Sequence, residues 1–488
     1  MKYKAVFSHL GRILIVSAAF YIFPVLVCLF CKEFSFIPSF LIGGGVSLAL
    51  GTGLVSCSKK KEKIRTKEGL VIVGLSWVFL SAIGALPLFI SGAIPHYIDA
   101  LFEMVSGFTT TGATVLTEFD TVGKSMHFWR AFSHWLGGMG ILVFMLAVLP
   151  SQDAGDFQLM KFESPGPQVG KLVSKVRFTA TILYLIYFAF TVLEFLFLWL
   201  GGVDVYHAIV LSVSTAGTGG FAATAGSIAD FNSAYVEIVV TVFMFIFSVN
   251  FNLYYLLLLK KFLHVVKDEE FRFYLGYLLI AITAITLDNT FRNAAYDNRF
   301  WTALRHSAFS VVTISSTTGF ITADFATWSL FSQSILLLTM FIGAMAGSTG
   351  GGFKMSRALI LIKSGREDTK KILRSHGVFT AKMNKKPLAS EIVTAVRNYF
   401  FLSAAIIALS TILVSLDSGV DFTTAFTGVL TCFGNVGPGL GSIIGPTGNF
   451  SSLSYFTKLV LSLDMLLGRL EIFPILLLFN PKTWSKRY

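Results

Sequence analysis

The sequence predicts an all-α integral membrane protein in which four repeats surround a pseudo-fourfold axis, with two extra transmembrane helices ahead of them. Three observations predict it. Hydrophobic residues make up 54% of the chain and charged ones only 14%, against about a quarter charged in soluble domains. Apolar stretches long enough to cross about 30 Å of hydrocarbon recur along the chain. Between the later ones, four runs of small and hydroxyl residues each end in a glycine, and these glycines lie about 100 to 120 residues apart.

The two N-terminal spans cover Ile13 to Phe30 and Ile37 to Val55. The first follows Lys2, Lys4 and Arg12 without a small-residue cleavage site, so it reads as a retained helix and not a removed signal. Eight more follow, at Leu70 to Ile90, Phe128 to Leu149, Thr179 to Leu200, Val236 to Leu259, Phe273 to Leu287, Ser334 to Ile362, Phe400 to Leu416 and Leu459 to Phe479. They alternate with the glycine runs as span, short helix, glycine segment, span. Residues 1–58 then form the N-terminal pair, and 59–160, 161–265, 266–386 and 387–488 the four repeats.

The four runs are Thr109-Thr110-Thr111-Gly112-Ala113, Gly217-Thr218-Gly219-Gly220-Phe221, Ser316-Thr317-Thr318-Gly319-Phe320 and Gly434-Asn435-Val436-Gly437-Pro438. Six positions before the final glycine stands a hydroxyl residue, Ser106, Ser214, Thr313 or Thr431, and twelve before it a small one, Ala100, Ala208, Ser307 or Ala425. The mostly apolar stretch from the small residue to the glycine is about three turns of helix. A single Thr-Gly cluster is ordinary loop punctuation; four in register are not.

Charge gives the orientation. The net charge of +12 is concentrated between spans, at Lys59 to Lys67, at Lys161, Lys171, Lys175 and Arg177, at Lys260, Lys261, Lys267 and Arg272, and from Lys363 to Lys386. These loops share one side with both termini, which makes that side cytoplasmic and the positive charge a membrane feature, not a nucleic-acid surface. The last cluster is a docking surface or simply a solvated face toward anionic lipid. The glycine segments then enter from the outer face. Of the cysteines Cys28, Cys31, Cys57 and Cys432, only the first two form a CxxC, without a second pair to complete a zinc site.

Glycine accepts backbone angles that a side chain forbids, so an extended segment built around it can turn several carbonyls one way. Four such segments around an axis present rings of carbonyl oxygens able to replace the water around an alkali cation. The short helices would aim their C-terminal, negative ends at the same axis. No carboxylate lies within the four runs, which favours a monovalent cation over a divalent one. Thr110, Thr218, Thr317 and Asn435 either ligand the ion or, as is favoured, hold the loop.

Two further features stand out. Ala344 to Lys354 interrupts a span with Gly347, Ser348, Thr349, Gly350, Gly351 and Gly352. Glycine costs about 1 kcal/mol relative to alanine in a helix, so the helix breaks there, either as a passive kink or, as is favoured, as a movable polar loop beneath the carbonyls. The run departs from a nucleotide P-loop, because Phe353 stands where the lysine belongs. Arg469 lies within the last span. Its insertion costs roughly 2.5 to 3.5 kcal/mol, so it needs protein or water around it; it serves either to anchor the loop and tune cation occupancy or as part of an interhelical salt bridge.

Taken together, the four glycine segments, the AGSTGGGFK interruption and the GRLEIFP stretch around Arg469 resemble the Trk/Ktr/HKT superfamily of potassium transporters and, within it, the bacterial TrkH family, over essentially the whole chain. The resemblance implies four M1-P-M2 repeats of potassium-channel type, a homodimer with one pore per protomer, and a cytosolic nucleotide-binding regulatory subunit of the TrkA type in the bacterial inner membrane. It implies a potassium filter at Thr110, Thr111, Gly112, Thr218, Gly219, Gly220, Thr317, Thr318, Gly319, Asn435, Val436 and Gly437. The gate maps to Gly347 through Gly352 with Lys354 and Arg469. Potassium is the cargo, no covalent cofactor is expected, and nucleotide belongs only to the regulatory partner. The fourth repeat departs most from the Thr-Gly form. A proton- or sodium-coupled symporter of the same fold is the alternative, with Glu194, Asp464 and Glu471 as intramembrane acids. A membrane enzyme is disfavoured by the lack of HExxH or a placeable catalytic set, and His134 and His207 read as interfacial residues.

Overall fold

The computed structural model describes residues 1–56, 66–140, 176–374 and 379–485. The basic clusters at 59–65 and 161–175 and the second half of the fourth expected span, 141–149, lie outside them.

Helices α1 (Tyr3–Phe20) and α2 (Ile22–Cys31) form one span interrupted at Tyr21, and α3 (Ile37–Ser56) packs back along α1. Small residues allow the approach: Ser17 and Ser47 hydroxyls meet at 2.8 Å, and a Cβ at Gly11 would lie 2.6 Å from the Gly51 carbonyl. The turn between α2 and α3 carries Glu33, whose carboxylate accepts from Lys124 N at 2.7 Å and Ser125 N at 2.9 Å. This caps the helix that begins at Lys124 and ties the N-terminal pair to the first repeat.

Repeat 1 comprises α4 (Thr66–Gly84), α5 (Leu86–Ile90), the short helix α6 (Tyr97–Phe108) and α7 (Lys124–Gly138). Repeat 2 comprises α8 (Val176–Leu200), the short α9 (Val205–Gly217), α10 (Ala234–Ser248) and α11 (Phe251–Leu258), with α12 (Phe262–Val266) leading on. Repeat 3 has α13 (Glu269–Arg292), the short α14 (Phe300–Ser315), α15 (Leu330–Ile342) and α16 (Met355–Leu373), then a small antiparallel pair, β1 (Lys382–Met383) and β2 (Lys386–Pro387). Repeat 4 has α17 (Ser390–Val414), the short α18 (Phe422–Gly434), α19 (Tyr455–Arg469), α20 (Phe473–Phe479) and α21 (Pro481–Trp484).

Among the described residues, six helical segments are long and apolar enough to cross a membrane: the two N-terminal ones and the first helix of each repeat. The second helices behave differently from the continuous spans expected. The span expected at Val236 to Leu259 bends by 91° between α10 and α11, and the one at Leu459 to Phe479 breaks at Glu471 and Ile472, both in the left-handed region. Helix α15 stops at Ile342, as the glycine run predicts, and α7 ends at Gly138. Fifteen helical residues rise only about 22 Å, short of the roughly 30 Å of hydrocarbon. Each second helix therefore leaves main-chain groups open part-way across, and such groups need protein partners. Large apolar side chains on the outer surfaces, among them Leu41, Leu185, Phe188, Ile280 and Ile412, remain exposed as lipid-facing residues do.

The glycine segments and the loop beneath them

All four short helices end in the same way. Thr110, Thr218, Thr317 and Asn435 adopt φ of 57°, 53°, 59° and 54°. Their amides donate to Gly107, Thr215, Ile314 and Cys432, and the next amides, of Thr111, Gly219, Thr318 and Val436, donate to Ser106, Ser214, Thr313 and Thr431 at 2.8 to 3.1 Å. This pair of bonds is a Schellman cap. The hydroxyl residues expected six positions before each glycine thus contribute their main-chain carbonyls. A left-handed residue at this cap is usually glycine, and threonine there costs of order 1–3 kcal/mol, a strain carried three times over.

Two residues on, Gly112, Gly220, Gly319 and Gly437 return to positive φ, at 81°, 79°, 82° and 107°. In a strand, successive carbonyls point to opposite sides; alternating the sign of φ undoes that alternation and turns them one way. The segments close into a cycle. A Cβ at Gly112 would lie 2.0 Å from the carbonyl oxygen of Gly219, one at Gly220 2.1 Å from that of Thr318, one at Gly319 2.2 Å from that of Val436, and one at Gly437 2.8 Å from that of Thr111. Every repeat therefore presses its signature glycine against the carbonyl before the signature glycine of the next, in the order 1, 2, 3, 4, 1. The last contact is the loosest, in the repeat whose sequence departs most.

At three of the four caps the side chain hydrogen-bonds within the protein. Thr218 Oγ1 donates to Gly217 O at 2.6 Å, and Thr317 Oγ1 accepts from Gly351 N at 2.7 Å. Asn435 Nδ2 donates to Thr111 Oγ1 and Met465 O, both at 3.0 Å. Thr110 Oγ1 is buried and makes no hydrogen bond among the described residues.

Residues 343–354 form a non-helical loop directly below the segments of repeats 3 and 4: a Cβ at Gly350 would lie 2.7 Å from Ser316 O, and one at Gly351 2.4 Å from Gly434 O. Each neighbouring element contributes a tie. The break in repeat 2 offers Ser248 O to Met345 N at 3.2 Å and Phe247 O to Thr349 Oγ1 at 3.1 Å, while Phe251 N donates to Gly347 O at 3.0 Å. Glu270 of α13 accepts from Ala346 N at 2.8 Å, and Lys354 Nζ, buried, donates to Gly350 O at 2.5 Å. Arg469 donates to Thr349 O at 2.8 Å and to Gly137 O and Gly138 O, at the end of α7, at 2.6 and 2.7 Å. Its guanidinium thus joins the loop to repeats 4 and 1 through carbonyls that the helix ends leave open, which answers the cost of a charge at this depth. Glu471, two residues on, pairs with Arg357 at 2.6 Å.

One expectation fails here. His134 is not interfacial: it is fully buried in α7, against the repeat-2 segment, with Nδ1 3.1 Å from Ser214 Oγ. Sequence reasoning also passed over Asn250, which caps α11 and abuts Gly347, and the buried Glu103–Arg130 pair at 2.7 Å. Gly219 held a readable signal, since the other repeats carry Thr111, Thr318 and Val436 there. His207, by contrast, is partly exposed beside the capping Asp204, as an interfacial residue should be.

The profile of the TrkH family, described as cation transport protein, matches residues 37–487. This chain belongs to the TrkH family. The chain is 36% identical to the Trk system potassium uptake protein TrkH of Salmonella typhimurium, with 100% of both chains covered, and equally to that of Escherichia coli K12. It is 31% identical to the Escherichia coli K12 Trk system potassium uptake protein TrkG, over 94% of each. The crystal structure of the potassium transporter TrkH from Vibrio parahaemolyticus superposes with a TM-score of 0.87 at 31% identity, covering 99% of this chain and 100% of that one. The family is one of membrane transport proteins, not enzymes.

Proposed function

We propose that this protein takes up potassium across the bacterial inner membrane, passing the ion along the axis of the four glycine segments. The observation that carries this reading is the closed cycle of contacts, in which the carbonyls of Thr111, Gly219, Thr318 and Val436 each meet the glycine of a neighbouring repeat. Such a ring replaces a cation's hydration shell with carbonyl dipoles and offers no carboxylate that would favour a divalent ion. The C-terminal ends of α6, α9, α14 and α18 favour positive charge beneath it. The relatives' names as potassium uptake proteins support potassium as the cargo. The membrane potential supplies about 2.3 kcal/mol per charge per 100 mV for inward movement.

The loop 343–354 is the gate: it lies under the carbonyls, and Arg469, Lys354, Glu270 and Thr317 hold it there. Helix α16 runs from this loop to Leu373 and a basic surface, where Lys363 Nζ donates to Lys382 O at 2.8 Å. A cytosolic nucleotide-binding subunit of the TrkA type acts by moving α16, and the protein works as a homodimer.

The test is cation influx into proteoliposomes holding purified protein, with potassium, rubidium, sodium and lithium compared for wild type and Gly112→Ser. The reading predicts potassium and rubidium flux in the wild type and loss of discrimination in the variant. Equal flux of all four ions through the wild type contradicts it. Repeating the assay with imposed proton or sodium gradients separates a potential-driven path from coupled symport.

A further inference from the structure

Repeat 2 differs from the others in what stands behind its glycine segment. In repeats 1 and 3 the residue before the signature glycine is a threonine whose hydroxyl bonds a second hydroxyl two residues earlier, Thr111 with Thr109 at 2.8 Å and Thr318 with Ser316 at 2.7 Å. Repeat 4 has Val436 there. In repeat 2 both positions of the pair are glycine, Gly217 and Gly219. The segment therefore has little side chain of its own to fix it, and glycine is the residue with the greatest backbone freedom.

His134 of α7 occupies the vacant space. A Cβ at Gly219 would lie 2.2 Å from the imidazole Cγ and Nδ1, and one at Gly217 2.3 Å from the His134 carbonyl oxygen. The ring stacks on Phe221, the first residue past Gly220, at 4.2 Å between centres. Arg130, one turn earlier on α7, brings its guanidinium 4.1 Å from the centre of the Phe221 ring. Arg130 is held in turn by Glu103 at 2.7 Å and Thr114 Oγ1 at 3.1 Å, and Glu103 accepts from Val115 N at 2.9 Å, just past the segment of repeat 1.

We propose that His134 is the positioning residue of the second filter segment. It supplies, from the second helix of repeat 1, the wall that other repeats carry on the segment itself, and with Arg130 it fixes the Gly219 carbonyl at the radius that discriminates among monovalent cations. The inference rests on the carbonyl-filter reading above.

The experiment is a double-mutant cycle of His134→Ala and Gly219→Thr in proteoliposomes, reading rubidium uptake and its competition by potassium and sodium. His134→Ala keeps rubidium uptake but loses about tenfold or more in potassium-over-sodium discrimination, the change that 1.4 kcal/mol of differential interaction produces. Gly219→Thr alone abolishes uptake, because its side chain overlaps the imidazole. The double variant regains uptake and discriminates better than His134→Ala, since threonine now fills the vacated space. Wild-type discrimination in His134→Ala overturns the proposal, and so does an equal fall in uptake of every cation, the mark of a purely structural role. Should His134→Ala fail to fold, Phe221→Leu removes the ring the imidazole stacks on while leaving α7 intact; unchanged discrimination there overturns the proposal too. Wild-type protein that does not discriminate sinks the filter reading itself.

Discussion

Replacing each signature glycine by alanine in turn gives a graded prediction. All four variants share one cost, since a side chain in the left-handed region is disfavoured by roughly 1–2 kcal/mol. They differ in what the new methyl meets. An ordinary carbon–oxygen contact is about 3.4 Å. The neighbouring carbonyl lies 2.0, 2.1 and 2.2 Å from the Cβ position in Gly112→Ala, Gly220→Ala and Gly319→Ala, but 2.8 Å from it in Gly437→Ala. The first three methyls must then push a ring oxygen back by about 1.3 Å, well beyond the roughly 0.5 Å within which a binding constellation holds its geometry. The fourth needs about 0.6 Å, at that margin. In proteoliposome competition assays, Gly112→Ala, Gly220→Ala and Gly319→Ala should lose at least about tenfold in potassium-over-sodium discrimination, while Gly437→Ala stays within about threefold of wild type. Discrimination by Gly437→Ala as poor as the other three, or wild-type discrimination by Gly220→Ala, would refute the reasoning.

Arg469→Ala removes the charge-assisted bond to Thr349 O, worth about 1.5–3 kcal/mol; rubidium influx without any regulatory partner should rise by about ten- to 150-fold, and an unchanged or lower rate contradicts the gate. Buried Lys458 and half-buried Asp99 form an ion pair at 2.7 Å that ties α19 of repeat 4 to α6 of repeat 1. Removing either partner strands the other, at about 3–5 kcal/mol, so thermal unfolding should show Lys458→Ala and Asp99→Ala each less stable than the double variant. Glu33→Ala strips the acceptor from the start of α7, a loss of about 0.5–2 kcal/mol; the unfolding temperature should fall with ion discrimination intact.

The glycine register was legible because it is a backbone requirement written in residue type: Ser106, Ser214, Thr313 and Thr431 mark the carbonyls of four caps, and the signature glycines mark four close approaches. The interruption at 343–354 was legible for the same reason. The breaks after Ser248 and Arg469 were hidden, because Val236 to Leu259 and Leu459 to Phe479 are apolar enough to read as continuous helix. What breaks the first is tertiary: Phe247 O and Ser248 O are taken by the loop of repeat 3, and Asn250 caps the next helix. His134 was misread because its environment comes from a segment some 85 residues on, and histidine near a helix start is ordinary at an interface. Arg469 was recognised as needing partners, but main-chain carbonyls leave no trace in residue identity.

Crystals grown in rubidium or thallium and measured at the ion's absorption edge test the central claim most directly. The account predicts an anomalous peak on the axis, encircled by the carbonyl oxygens of Thr111, Gly219, Thr318 and Val436, that fades when sodium replaces the heavier ion. A protein whose anomalous scatterers all lie away from that ring would contradict it.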